Sequence, residues 1–454
     1  MTQNGLLDAS SSSRGTSTAT AYHGPVVHSL SLTQLEVLPS ALLVVSDGRV
    51  VSLDKDVARA DVSHLLASRG VSADIVHVDE GFLCPGLIDT HTHAPQYPNN
   101  GLGGSLELLP WLQTLTFPLE TRFSDLTLAR RIFSQVIDRT LAAGTTTSCY
   151  YSTLHVDASV LLAQLCAEAG QRAFVGRCSM NRFCSDDYVE ASTASSMAST
   201  KAFLAQVSSL PSIVKPILTP RFAISCTPDL LSALGELAAQ TGLPIQTHIA
   251  ENTSECAEIR RLFPASATYA GVYAAHGLLT PRTILAHAVH LDDAERDVIA
   301  SHGAGISHCP ASNTNLNSGA ARVLDMLAHG IKVGLGSDCS GGCSLGILPQ
   351  IRDARTVSRS LAFEGLAERG LSIAELFHMA TLGGASLCGF DDVGNFAPGA
   401  QFDALWVKPR SPGMWVEDGE AVESVFEKWL FTGDDRDIAT VWVQGRRVAG
   451  AEKA

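Results

Sequence analysis

Two histidines, His91 and His93, end an apolar run that begins at Phe82, within Pro85-Gly86-Leu87-Ile88-Asp89-Thr90-His91-Thr92-His93. On an extended strand, residues two apart point to the same face, so both imidazoles reach one metal ion where the strand runs out. With 15 His in 454 residues, chance supplies a His-x-His pair about 0.5 times per chain, so the pair means little alone. Further donors follow. His248 stands in Thr247-His248-Ile249-Ala250-Glu251, His287 closes another short apolar segment, and Asp338 follows Gly336-Ser337. Several neutral imidazoles and one carboxylate suit zinc or ferrous iron, with a position left for water. A water bound there has its pKa lowered to about 7 and is a nucleophile at neutral pH.

These residues need elements that bring them together. Short apolar segments run over Phe82–Asp89, Thr145–Tyr150, Ala173–Cys178, Ile213–Thr219, Pro244–His248, Thr283–His287, Gly305–His308 and Lys332–Gly336, eight in all. Helical patterns separate most of them. One is well punctuated: Thr227 caps, Pro228 takes the first turn, Leu230, Leu231, Leu234, Leu237 and Ala238 form an apolar face, and Gly242 ends it. Eight near-continuously apolar strands in about 260 residues fit a (β/α)8 barrel of the TIM type better than a doubly wound sheet. No Gly-x-Gly-x-x-Gly opens a helix after a strand, so the dinucleotide reading lacks support.

Chemistry in such barrels sits at the C-terminal ends of the strands. His91 and His93 end the first, His248 the fifth, His287 the sixth, and Asp338 follows the eighth. Any one of them alone reads as a satisfied polar residue, and Asp338 or Glu251 alone as the opening of the next helix. Four strand ends converging on one mouth make His91, His93, His248, His287 and Asp338 the expected metal ligands. His290, His302, His308, His329 and His378 fall at the wrong points and are expected to be structural.

The flanks have a different texture. Ala41–Val45 and Arg49–Leu53 are short strands joined through Asp47-Gly48, a hairpin signal, and Phe402–Val407 and Ala439–Val448 repeat the pattern at the far end. Neither piece holds enough strands for a core of its own, so the two are expected to form one small β-sandwich. The expected divisions are a disordered Ser/Thr-rich tail over 1–22, sandwich over 23–81, barrel over 82–391 and sandwich again over 392–454.

A hydrophobic content of 45% with 17% charged residues describes a globular chain with a sizeable core. The formal charge is −14 and no basic cluster interrupts it, which argues against nucleic acid or an anionic membrane as partner. Apolar runs fall short of the roughly 18 residues of a membrane span, and the basic-then-apolar order of a signal peptide is missing. Eleven scattered cysteines, with no Cys-x-x-Cys, suggest free thiols in a reducing compartment. Cytoplasm is the expected location.

The Pro85–His93 stretch, the histidines of strands five and six and the Asp of strand eight resemble the amidohydrolase superfamily. Its dinuclear members bridge two metals with a carboxylated lysine at the end of strand four. Here that strand ends in Thr219-Pro220-Arg221-Phe222, with Lys215 inside it, so the mononuclear branch is the better match. The resemblance narrows to the guanine deaminase family through His93-Ala94-Pro95-Gln96-Tyr97, Trp111-Leu112, Thr116-Phe117-Pro118, Gly144-Thr145-Thr146-Thr147, Gly170–Gly176, Lys215-Pro216-Ile217, Cys309-Pro310-Ala311-Ser312-Asn313 and Gly433-Asp434-Asp435-Arg436. It covers nearly everything from about residue 24 onward. Cys339-Ser340-Gly341-Gly342 and the Ser/Ala-rich segment Phe183–Thr200 depart from the family pattern, and the N-terminal tail has no counterpart in it.

The resemblance implies hydrolytic deamination of guanine to xanthine, with one Zn2+ (or Fe2+) per subunit and a homodimer. It implies that Asp338 is both ligand and proton acceptor, and that Glu251 moves a proton to the ring and later to the leaving amine. Gln96 and Arg221 are the implied contacts to the purine edge and Phe222 a stacking wall, with Trp111 either wall or core. His248, Glu251 and Asp338 border the same substrate. Two rivals share parts of this pattern: another mononuclear deaminase or chlorohydrolase acting on a related heterocycle, and a metal-free barrel serving as a scaffold.

Overall fold

The structure, a computed structural model, describes residues 19–450. The chain opens with β1 (Ala19–Ser31), β2 (Gln34–Ser46), β3 (Arg49–Lys55), β4 (Ala73–His77) and β5 (Phe82–Pro85). It continues with β6 (Leu87–His93), β7 (Thr145–Tyr151), β8 (Arg172–Gly176), β9 (Cys178–Ser179), β10 (Val214–Pro216) and β11 (Thr219–Pro220). Then come β12 (Ile245–Ile249), β13 (Thr283–His287), β14 (Gly305–His308) and β15 (Lys332–Leu335), and β16 (Ala404–Val407), β17 (Ile438–Val443) and β18 (Arg446–Ala449) end the series.

Both chain ends meet in one eight-stranded sheet, ordered β18-β17-β16-β5-β1-β2-β3 with β4 alongside β1. The union is as expected, but the pairing runs as one continuous sheet rather than as the two sheets of the expected sandwich. The reason is β5, which pairs antiparallel with β16 on one side and parallel with β1 on the other. On the sheet's buried face Tyr22 stacks on Phe402, and Trp442 packs against both rings at an angle. Asp47-Gly48 and Gln444-Gly445 both turn through positive φ, as tight hairpins require. The two turns touch so closely that a Cβ on Gly48 would lie 2.2 Å from the Gln444 carbonyl oxygen, so only glycine fits there.

The last four residues of the expected tail over 1–22 are strand. Residues 1–18 lie outside the described residues, but Ala19–Tyr22 already belong to β1, held by β2 and β4, because Ala19 and Ala21 pack against Leu42, Val44 and Val62. The expected strand Phe82–Asp89 is two strands. The Gly86 N–H goes to the Asp403 carbonyl in the terminal sheet and the next N–H, of Leu87, to Gly144 beside β7. A side chain at Gly86 would collide with Thr146, so the crossing between sheets passes through a glycine.

The other strands are parallel and alternate with helices. They form two four-stranded sheets, β10-β8-β7-β6 and β12-β13-β14-β15, plus the short pair β11-β9. The sheets meet at a bridge between Leu218 and Ile245 and again past β15, where Asp338 N–H donates to the His91 carbonyl at 2.9 Å and His93 N–H to that of Cys339 at 3.2 Å. Among the described residues no ladder joins β15 to β6 along its length, so the observed pairing is two sheets with two seams. The Thr227-capped helix spans Pro228–Thr241 and stops at Gly242 with φ 65°, as its sequence dictates.

Candidate active site

All the candidate residues lie at the C-terminal ends of the parallel strands. His91 and His93 share one face of β6, His248 is next to last in β12, His287 ends β13, and Asp338 lies three residues beyond β15. Each is almost fully buried. Ala250, His287, Ala288 and Asp338 have positive φ, a conformation that costs on the order of 1–3 kcal/mol at a non-glycine residue. The strained turns aim these side chains inward.

The donor atoms crowd together. His91 Nε2 is 3.1 Å from Asp338 Oδ1, His93 Nε2 is 3.4 Å from the same oxygen and 3.2 Å from His248 Nε2, and His287 Nε2 is 3.7 Å from Asp338 Oδ2. Atoms each about 2.1 Å from a common ion stand roughly 3–3.6 Å apart, so this spacing is that of a ligand shell. His91, His93, His248 and Asp338 form the tight set, with their donor atoms all within 4.8 Å of one another. His287 stands one step off, and a second group joins it with His91 and Cys309. Burial pushes the Cys309 thiol well up, leaving it protonated and a poor ligand.

Tautomers fit the same purpose. His248 donates Nδ1–H to the Arg221 carbonyl at 2.6 Å, and His287 donates Nδ1–H to Asn313 Oδ1 at 2.8 Å. Both Nε2 lone pairs therefore face the cluster. Burial holds His93 and His248 well below the ordinary imidazole range and His287 down at about 4, so these rings are neutral at physiological pH. His287 Nε2 has no hydrogen-bond partner although Glu251 Oε2 is 3.3 Å away. A lone pair facing carboxylate oxygens calls for a proton or a cation between them. The donor set fits a metal ion.

Burial, then the charge of Asp338, raises the Glu251 carboxyl well above its usual range. Burial also pulls Asp338 upward, but the hydrogen bond from His91 and the surrounding imidazoles outweigh it and hold that group well below the usual range. The two neighbouring carboxyls are thus pushed in opposite directions, Glu251 toward its protonated form and Asp338 toward its ionised one. Glu251 is seated by its own N–H, which donates to Glu255 Oε2 at 2.7 Å, while its Oε1 has no partner.

Above the cluster lies a narrow cavity. His93, Gln96, Arg221, His248, Glu251 and Asp338 supply its polar lining, and Leu108, Trp111, Leu112, Phe222 and Leu316 the apolar part. Every residue expected to touch substrate is therefore at one cavity, and Trp111 and Phe222 are both wall and core. Arg221 is not a surface residue: both its Nη atoms donate to the buried Glu120 carboxylate. Gln96 is less free than expected, with Nε2 donating to Glu120 at 3.0 Å and Oε1 accepting from Ser340 N–H at 3.2 Å.

Several supporting residues were not singled out from sequence. Asp89 sits inside the opening motif and accepts from the N–H groups of His91 and Ser337 and from the Ser337 hydroxyl, which ties β6 to the Asp338 loop. Glu255 completes an Asn252-x-x-Glu255 capping box, a legible signal. Glu120, 101 residues from Arg221, gives none.

The Amidohydrolase family model matches residues 82–448. The chain is 44% identical over 445 residues to a probable guanine deaminase of Schizosaccharomyces pombe, covering 96% of this chain and 84% of that protein. To the guanine deaminase of Dictyostelium discoideum it is 40% identical over 439 residues, 94% of this chain and 97% of the other. Its structure matches that of guanine deaminase from C. acetobutylicum with bound guanine in the active site, with a TM-score of 0.88 and 32% identity over 95% of this chain and 100% of that one. With this site and these relatives, the chain belongs to the amidohydrolase family and, within it, to the guanine deaminases.

Proposed function

We propose that the protein hydrolyses guanine to xanthine and ammonia, using one zinc ion per subunit held by His91, His93, His248, His287 and Asp338. The observation that carries this reading is the single cavity in which Gln96, Arg221 and Phe222 face Glu251 and Asp338. A divalent metal at that site supplies a water of lowered pKa as nucleophile.

The chain's own residues do the rest. Arg221 spends two of its five N–H groups on Glu120 and keeps the others for acceptors on the oxo edge of the purine. Gln96 keeps one N–H and one lone pair, and Phe222 offers a face for stacking. Ionised Asp338 takes the proton of the attacking water. Protonated Glu251 gives its proton to the ring nitrogen beside the amino-bearing carbon, then helps return a proton to the amine, which leaves as ammonia. A planar neutral ring suits a site whose walls are apolar and whose edge contacts are few and fixed.

In this reading the two seams close the parallel strands from β6 to β15 into a (β/α)8 barrel, flanked by the sheet of the two chain ends. A cytoplasmic homodimer goes with it; among the described residues no helix is long and apolar enough to cross a membrane. The test is metal content per chain measured together with xanthine formation from guanine by absorbance. One equivalent of zinc with steady turnover supports the reading. Turnover by metal-free protein, or metal-loaded protein inert toward guanine, overturns it.

A further inference from the structure

Glu120 lies in the short helix Phe117–Thr121 and is fully buried. Four side-chain donors converge on its carboxylate. Arg221 Nη1 and Nη2 donate at 2.6 and 3.0 Å, Gln96 Nε2 at 3.0 Å, and the Tyr188 hydroxyl at 2.8 Å. Arg221 and Gln96 line the cavity, and Glu120 stands behind both. Tyr188 is itself held, since its hydroxyl oxygen accepts the Leu154 N–H at 3.2 Å. Tyr188 falls in the Ser/Ala-rich segment Phe183–Thr200, one of the stretches that depart from the family pattern.

We propose that Glu120, seated by Tyr188, is the positioning residue of substrate recognition: its carboxylate locks Arg221 and Gln96 into one unit that selects a purine with an oxo group on its six-membered ring over one with an amine there. The inference rests on the guanine reading above. Its logic is geometric. A long arginine side chain samples many rotamers, and a two-point charge-assisted pair removes that freedom before the substrate arrives. A guanidinium fixed in this way presents only N–H donors, so an oxo oxygen is accepted and an exocyclic amine meets donor against donor. The same carboxylate fixes which way round the Gln96 amide sits, because Nε2 faces Glu120 and Oε1 accepts from Ser340.

The experiment compares Glu120→Gln and Tyr188→Phe with the unaltered protein, using guanine as substrate and hypoxanthine, which has the oxo group but no reacting amine, as competitor. KM and the inhibition constant do not depend on how much of a preparation is folded, so they separate positioning from a merely structural role. Glu120→Gln is expected to raise KM for guanine at least about tenfold and to weaken hypoxanthine inhibition similarly, with kcat per bound zinc changed by less than about threefold. Tyr188→Phe leaves the buried ion pair intact and is expected to raise both constants about threefold. If Glu120→Gln does not accumulate as folded protein, Tyr188→Phe decides. Unchanged KM and inhibition constant in the measurable variants, whatever happens to the maximal rate, overturn the proposal. Failure of the unaltered protein to deaminate guanine overturns the underlying reading instead.

Discussion

His248 donates its Nδ1–H to the backbone carbonyl of Arg221 across 2.6 Å, and the same carbonyl accepts the His248 backbone N–H at 3.3 Å. The residue just past β11, the proposed recognition arginine, thereby fixes the ring of a histidine in the metal-binding cluster. Because the bond goes to main chain, the two functions share a support and remain separable by mutation.

Arg221→Lys is therefore expected to keep its metal and lose recognition. KM for guanine rises at least about tenfold because a point charge cannot reproduce the two-pronged contact. Lysine is chosen because alanine would leave the buried Glu120 without its positively charged partner, at a cost of about 3–5 kcal/mol. Metal content and KM measured on one preparation check this; loss of metal with an unaltered KM is the contrary result.

His248→Ala and Asp338→Ala are expected to lose metal and activity together. Each removes one donor from the set packed within 4.8 Å. Dialysis against a chelator reproduces the loss in the unaltered protein, and added zinc reverses it. Elemental analysis alongside the assay reads both quantities; full activity in either metal-free variant contradicts the assignment.

Glu251→Gln keeps every donor of the cluster and removes only the proton carrier. Metal content stays at the unaltered level and kcat falls by about 10²–10⁴-fold. Since Glu251 acts first in its protonated form, activity in the unaltered enzyme falls as pH rises through its raised pKa. That alkaline limb disappears in the variant's residual activity. Near-normal turnover ends the proton-carrier role.

Glu255 gives a stability signature. Burial pushes its carboxyl from the ordinary 4.5 up to about 7. The folded state thus holds this proton more tightly than the unfolded state. The resulting stability is fully present below about 4.5 and is lost as pH rises through about 7. Urea unfolding of the unaltered protein and of Glu255→Gln at pH 5 and pH 8 should show a smaller fall in the variant; equal falls contradict the assignment.

Legibility followed locality. The His-x-His pair, the Thr227 cap with Gly242 and the Asp47-Gly48 hairpin are encoded within a few residues, and the structure has them where the pattern puts them. The break at Gly86 was not legible, because an apolar run does not say which sheet each half joins; the collision with Thr146 and the bond to Asp403 decide it. The start of β1 at Ala19 was hidden by small residues that pack only once Leu42 and Val44 are beside them. The same holds for Glu120, whose meaning exists only after Gln96, Tyr188 and Arg221 have been folded around it.

The most direct measurement is ammonia release by the purified, metal-loaded protein from guanine, adenine, cytosine and melamine, each at a range of concentrations. The metal-binding cluster would serve any of the four, whereas Gln96, Arg221 and the carboxylate behind them are arranged for an oxo-purine. The predicted result is kcat/KM for guanine exceeding the others by at least about 10³, the discrimination a site of fixed, buried polar groups provides. Preferential turnover of adenine, cytosine or melamine would contradict the account.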